Sequence, residues 1–94
     1  MSETNPVYHL IVSGDVQGVG YRATVRRHAQ QQHVTGTVRN LQDGNVEIIA
    51  QGTSDQLEKF FRKIEHEPGG GNVKEIQKNK LNASISYDVF KIEY

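Results

Sequence analysis

Short segments with apolar and β-forming residues, some of them alternating apolar and polar positions with a period of two, predict five β-strands along the chain. In the first segment Tyr8, Leu10 and Val12 share one face, and the opposite face is also largely apolar. This pattern predicts a central strand that is buried on both faces. An Asp-Gly step between the second and third segments predicts an antiparallel hairpin. The last two segments are more polar and predict edge or half-exposed strands. The predicted strands cover residues 7–13, 34–40, 45–51, 73–80 and 88–94.

Apolar positions follow a helical period in two further segments. Leu57, Phe60, Phe61 and Ile64 are spaced i, i+3, i+4 and i+7, after capping residues at 53–55 and before a Pro-Gly step. The other segment lacks Gly and Pro but has a thinner apolar stripe. Two glycine-rich stretches interrupt the pattern, one of them three glycines in seven residues. The predicted helices cover residues 21–32 and 53–67, with a loop at 14–20 and a flexible connector at 68–72.

The predicted order of elements is β-α-β-β-α-β, followed by one extra terminal strand. This order is typical of a ferredoxin-like α/β sandwich (α+β), in which two helices lie on one face of a largely antiparallel sheet. The first and third strands then occupy the centre of the sheet. Residues 1–6 are polar and end in Pro, which predicts a flexible arm before a single domain over residues 7–94.

Composition narrows the class of protein. The chain has 94 residues, 11 Lys plus Arg against 11 Asp plus Glu, and no Cys. A chain this short has room for one core, held by packing without disulfides or cysteine-ligated metals. Zero net charge argues against nucleic acid and anionic membranes as partners. There is neither an apolar span of about 20 residues nor a signal peptide, so we expect a soluble, cytoplasmic monomer.

The glycine-rich loop is the strongest candidate for a functional site. It follows a buried strand and runs into a helix, so its backbone N–H groups can converge at the positive end of the helix dipole. Arg22, in the first helical turn, adds planar donors that match phosphate oxygens. The pattern thus predicts a site for one phosphate group, although a plain strand-to-helix turn also explains the glycines. A P-loop is excluded because Gly20 is not followed by Lys and Ser or Thr. A dinucleotide fold is excluded because the next strand enters a hairpin.

Two motifs together resemble the acylphosphatase family. The sequence GDVQGVGYR at 14–22 resembles the family signature G-x-V-Q-G-V-x-F/Y-R, and GTVRNLQDGNVEIIAQG at 36–52 resembles its second motif. The resemblance extends over essentially the whole chain. Thr37 departs from it, because the family usually has an aromatic residue there, and the connector PGGGN at 68–72 departs as well.

The resemblance implies an enzyme that hydrolyses acyl phosphates to a carboxylate and inorganic phosphate without a metal or another cofactor. It also implies that Arg22 and Asn40 are the catalytic residues, with Arg22 on the phosphoryl group and Asn40 on the attacking water. Strand topology independently puts Asn40 at the sheet end that carries the loop, although Asn near Asp-Gly is also a common turn residue. The phosphate-binding loop amides implied by the resemblance belong to Gln17, Gly18, Val19, Gly20 and Tyr21.

Other functional classes remain as alternatives. A non-catalytic or carbamoyl-phosphate-handling relative is possible, since acylphosphatase-like domains also occur within larger hydrogenase-maturation proteins; a free-standing chain favours it less. An RNA-binding sandwich needs exposed aromatics on its central strands, which the segment NVEIIAQ lacks. Arg39 alternates to the face opposite Asn40 and is interpreted as a solvated charge. The four histidines share no metal-ligand spacing: His9, His28, His33 and His66.

Overall fold

A computed structural model describes residues 5–82 and 85–94. The predicted arm at residues 1–6 therefore lies mostly outside the described residues. The five predicted strands and two predicted helices are all present, with boundaries shifted by two residues at most. They are β1 (Val7–Asp15), α1 (Tyr21–Gln31), β2 (Thr35–Asn40), β3 (Val46–Gln51), α2 (Ser54–His66), β4 (Asn72–Leu81) and β5 (Phe90–Glu93).

The five strands form one sheet in the order β4-β1-β3-β2-β5, with both helices on one face. Neighbouring strands are antiparallel except β2 and β5, which are parallel. The predicted ferredoxin-like architecture is confirmed, as are the central position of β1 and β3 and the edge positions of β4 and β5. Val12 of β1 and Asn40 of β2 both pair with Val46, so β1 and β2 end at the same end of the sheet.

The core lies between the sheet and the two helices. Leu10, Val38 and Ile48 on the sheet and Val25 and Phe60 on the helices are fully buried there. Burying an aliphatic or aromatic side chain of this size contributes about 1.5–3 kcal/mol, so this layer provides most of the stability of a domain without disulfides.

The apolarity of β1 predicts that this strand is buried on both faces, and this prediction is wrong. His9 and Ile11 point away from the helices and are only half-buried. This open face carries an ion-pair cluster in which Glu47 accepts hydrogen bonds from His9 Nε2 at 2.9 Å and Arg39 Nε at 2.7 Å. Arg39 is thus ion-paired rather than simply solvated. Thr37 also faces this side, because it alternates with the buried Val38, so its departure from the family pattern does not touch the core.

The two helices begin differently. Thr53 caps α2: its hydroxyl accepts from Gln56 N at 3.2 Å, and Gln56 Oε1 accepts from Thr53 N at 2.9 Å. This reciprocal pair is the capping box, and Asp55 adds an acidic residue in the first turn. Helix α1 follows Gly20 with no side-chain cap and no acidic residue in its first turn, within the described chain. Its N–H groups are therefore left for another acceptor.

Candidate active site

A cavity of about 160 Å³ opens at the N-terminus of α1. The loop before the helix is shorter than expected, because β1 continues through a bulge at Ser13 and Gly14 to Asp15. The remaining residues 16–20 form one wall, and the end of the edge strand β5 forms the other. The residues that line the cavity are Val16, Gly18, Gly20, Tyr21, Arg22, Ala23, Ile92 and Tyr94.

The loop backbone has the geometry of an anion-binding nest. Gly18 and Gly20 have φ of 74° and 78° on either side of Val19, a left-handed conformation that residues with a Cβ rarely adopt. A Cβ at either glycine would meet no atom within 4 Å, so backbone conformation and not crowding requires glycine here. Together with the uncapped N-terminus of α1, this loop can direct several N–H donors at one anion.

Arg22 is the charged group of the cavity. Its guanidinium carbon lies 4.8 Å from the centroid of the Tyr94 ring, and its Nη1 donates a long hydrogen bond of 3.4 Å to the carbonyl oxygen of Glu93. The guanidinium therefore contacts both Glu93 and Tyr94, and the Tyr94 side chain is fully exposed. A half-buried arginine fork at a helix N-terminus can bind two oxygens of a phosphoryl group.

The side chain of Tyr21 points away from the cavity and ties α1 to α2. It is buried, and its hydroxyl donates to the carbonyl oxygen of Ile64 at 3.0 Å. Burial, and next the negative charge of Glu65, raise the pKa of Tyr21 far above its ordinary value. Tyr21 therefore remains neutral and supplies the loop with its backbone only.

The residues predicted as a flexible connector form a turn that lies against the glycine-rich loop. Gly71 N donates to the carbonyl oxygen of Pro68 at 3.2 Å. A Cβ on Gly70 would lie 2.9 Å from the carbonyl oxygen of Val19, closer than such atoms approach in proteins. A glycine at position 70 thus allows the turn to approach the glycine-rich loop closely.

Asn40 lies at the end of β2 on the helix side of the sheet, since it alternates with Val38. Its Oδ1 is buried and has no hydrogen-bond partner among the described residues. The hairpin turn is held by Asp43, whose Oδ1 accepts from Asn45 N at 3.0 Å. Asn40 is thus not the residue that satisfies this turn. It does not line the 160 Å³ cavity, but it lies at the same end of the sheet.

The side chain of Gln17, a residue predicted to contribute its backbone amide, reaches the β2–β3 hairpin instead of the cavity. Two further residues at the site lie outside the predicted motifs. Tyr94 follows β5, and Gly70 belongs to the turn between α2 and β4. Neither has a local signal in the sequence that marks it as part of the site. No cluster of three or more side chains suited to a metal ion occurs in residues 5–82 and 85–94. Neither α1 nor α2 is long and apolar enough to cross a membrane.

Taken together, two helices on one face of a five-stranded sheet, with a glycine-rich loop and an arginine at one helix N-terminus, define a small ferredoxin-like α+β domain. The acylphosphatase family model matches residues 8–92. An acylphosphatase from Chlorobaculum tepidum is 40% identical over 84 residues, which cover 89% of this chain and 91% of that protein. One from Treponema denticola is 41% identical over 91 residues, covering 97% and 96%.

Solved structures agree with this match. The crystal structure of acylphosphatase from Bacillus subtilis has a TM-score of 0.90 and 32% identity, covering 95% of this chain and 99% of that one. Full-length HypF, crystallised in a phosphate- and nucleotide-bound form, contains a similar domain with a TM-score of 0.85 and 27% identity; the match covers 100% of this chain and 12% of HypF. The chain belongs to the acylphosphatase family, and it is a hydrolase that acts on acyl phosphates.

Proposed function

We propose that the phosphoryl group of an acyl phosphate binds in the cavity at the N-terminus of α1, with Arg22 and Asn40 as catalytic residues. The backbone N–H groups of residues 17–21 and the guanidinium of Arg22 hold the phosphoryl oxygens. The observation that carries this proposal is the uncapped N-terminus of α1 behind two left-handed glycines, with an arginine in its first turn. The capped N-terminus of α2 in the same protein provides a contrast.

Asn40 orients the attacking water. Its buried Oδ1 accepts a hydrogen bond from the water, which leaves a lone pair of the water oxygen free to face phosphorus. The water oxygen bonds to phosphorus while the bond to the acyl oxygen breaks. The electron pair of that bond leaves on the carboxylate, and the water gives a proton to solvent. The products are a carboxylate and inorganic phosphate.

Arg22, Asn40 and the loop amides suffice for this reaction because the leaving group is a carboxylate. A carboxylate leaves without a strong general acid, and phosphoryl transfer depends on alignment and on stabilisation of the charge on the oxygens. Arg22 and the loop amides supply that charge stabilisation. We therefore propose a reaction that needs neither a metal ion nor another cofactor.

We further propose that the protein acts as a monomer in the cytoplasm on small-molecule acyl phosphates and releases inorganic phosphate. The balanced charge and the absence of cysteine support this setting. The open face of the sheet also offers no platform for nucleotide bases. On the central strands β1 and β3 that face carries Val7, His9, Ile11, Glu47, Ile49 and Gln51, and no aromatic side chain other than the His9 imidazole, which is paired with Glu47.

Release of phosphate from acetyl phosphate tests the proposal. The protein should catalyse this release, inorganic phosphate should inhibit it competitively, and prior treatment with EDTA should leave turnover unchanged. Turnover that is lost with EDTA and restored by magnesium would contradict the metal-free mechanism. Turnover without competitive inhibition by phosphate would contradict the proposal that the loop amides and Arg22 bind the phosphoryl group.

A further inference from the structure

The side chain of Gln17 joins two parts of the site that are far apart in sequence. Its Nε2 donates to the carbonyl oxygens of Leu41, at 2.8 Å, and Asn45, at 2.7 Å. These two carbonyls already close the β2–β3 hairpin, since Leu41 O accepts from Gly44 N at 3.3 Å and Asn45 O accepts from Leu41 N at 2.8 Å. Both hydrogens of the half-buried Gln17 amide are thus used on the hairpin, one residue beyond Asn40.

The contact of Gln17 with the hairpin connects the two chain segments on which the proposed mechanism depends. The loop amides and Arg22 belong to one continuous segment, from Gln17 to the first turn of α1. Asn40 belongs to another segment, at the end of β2. Hydrolysis requires that the phosphoryl group held by the first segment and the water held by the second be in line. Whatever sets the distance between the segments therefore affects the rate and not the binding of phosphate.

We propose that Gln17 is a positioning residue, whose side-chain amide holds the phosphate loop against the hairpin and so aligns the bound phosphoryl group with the water on Asn40. This inference rests on the roles proposed above for Arg22 and Asn40. Glutamine suits the task because its amide presents two hydrogens to two acceptors without adding charge. Methionine has a similar length and no donor, and ionised glutamate has the same shape and only acceptors.

Gln51 provides a matched control at the other end of the sheet. Its Nε2 also donates to two backbone carbonyls, those of Ile85 at 2.8 Å and Asn5 at 3.3 Å. Its Oε1 accepts from Tyr87 N at 2.9 Å, so this glutamine joins segments away from the site. Gln51→Met should lower the melting temperature and leave kcat within about twofold of the parent. A purely stabilising role for Gln17 predicts the same behaviour for Gln17→Met.

The positioning role predicts a different result. Gln17→Met should lower kcat by about ten- to a hundredfold, because a small misplacement of reacting groups has an effect of this size. The inhibition constant of inorganic phosphate should change by less than about threefold, since Arg22 and the loop amides keep their own geometry. A raised inhibition constant with unchanged kcat would overturn the proposal, because it would mean that Gln17 affects only the binding of phosphate by the loop.

A double-mutant cycle with Asn40→Ala decides between positioning and an independent effect. In the Asn40→Ala background the water is no longer held. Adding Gln17→Met should then lower kcat by less than about threefold, because both residues act on the alignment of the water with the phosphoryl group. Losses that multiply would overturn the proposal. Absence of acetyl phosphate hydrolysis by the parent protein would instead contradict the proposed function, so the two failures are distinguishable.

Gln17→Glu keeps the proposal testable if Gln17→Met does not fold. The ionised carboxylate faces two carbonyl oxygens without a hydrogen to donate, whereas the protonated acid regains one donor. The kcat of Gln17→Glu relative to the parent should therefore rise as the pH is lowered, while Gln51→Glu shows no such recovery. A ratio that stays flat with pH would overturn the proposal.

Discussion

The guanidinium of Arg22 lies over the ring of Tyr94, with 4.8 Å between the guanidinium carbon and the ring centroid. One residue is in the first turn of α1 and the other is the last of the chain. The stacking is possible because β5 pairs in parallel with β2, which brings the end of the chain to the sheet end that carries the loop. Arg22 and Tyr94 thus lie together at the cavity, although they are far apart in sequence. Five predictions concern these two residues, Asn40, Gly70 and Glu47.

Arg22→Ala should abolish most of the activity and also the inhibition by inorganic phosphate, while the domain stays folded. A charge-assisted hydrogen bond contributes about 1.5–3 kcal/mol, and removing a donor to the transition state lowers the rate by about a hundredfold or more. Arg22→Lys should recover little, because an ammonium group lacks the planar fork. Thermal melts with and without phosphate provide the measurement. Phosphate protection that survives in Arg22→Ala would contradict the role of Arg22.

Tyr94→Leu should raise KM for acetyl phosphate by about two- to fivefold, the equivalent of a cation–π contact of about 0.5–1 kcal/mol at an exposed site. Without the ring, substrate binding must itself order the Arg22 side chain, and this weakens the affinity for the substrate. Tyr94→Phe keeps the ring and should behave like the parent protein. Steady-state kinetics of the two variants check this prediction. Tighter substrate binding by Tyr94→Leu would show that Tyr94 holds Arg22 away from the phosphate.

Asn40→Ala should lower kcat by about a hundredfold or more while KM and phosphate inhibition stay almost constant, as for a single preorganised group that acts in the transition state. Asn40→Asp should also fail, because the negative charge of an ionised carboxylate repels the phosphoryl oxygens. The measurement is turnover at saturating acetyl phosphate. A kcat close to that of the parent would reduce Asn40 to a structural residue at the strand end.

Gly70→Ala should lower kcat/KM by about tenfold through a shift of the phosphate loop. The added methyl group would lie 2.9 Å from the carbonyl oxygen of Val19, so the backbone of the loop must move, and small misplacements at a reacting centre are costly. In Gly52→Ala, the control, the methyl group meets the side-chain oxygen of Gln56 at 3.0 Å, in the capping box of α2 and away from the cavity. Its kcat/KM should stay near that of the parent. Equal activity of both variants would show that the Gly70 turn does not support the loop.

Glu47→Gln should make the melting temperature fall less as the pH is lowered into the acid range, and it should leave activity at neutral pH unchanged. Partial burial raises the pKa of Glu47, but hydrogen bonds from His9 and Arg39 outweigh burial and hold it below its ordinary value. A carboxylate with a lowered folded pKa stabilises the protein above its unfolded pKa of about 4.3, and this contribution is lost as the pH falls through the folded value. Thermal melts over this range compare the parent and the variant. An unchanged acid limb would contradict the stabilising role of the cluster.

The order of the elements, their types and the position of the glycine-rich loop could be predicted from the sequence alone. Each depends on neighbours in the chain: the period of the apolar residues, the Asp-Gly step, the capping residues before α2, and the glycines that end in Arg22. Physical effects of this kind act over a few residues, so the sequence contains them directly. The motif around Gln17 and Arg22 also indicates the family independently of the fold.

Only the tertiary structure decided how the loop is supported and how the site is assembled. The contact of Gly70 with Val19, the reach of Gln17 to the hairpin and the stacking of Tyr94 on Arg22 join residues more than 20 positions apart. Local periodicity cannot encode such pairs, because they depend on how the strands and helices pack. The same reason explains the open face of β1, where the apolarity of a short segment suggested burial. Whether a second layer covers a face is a property of the whole chain.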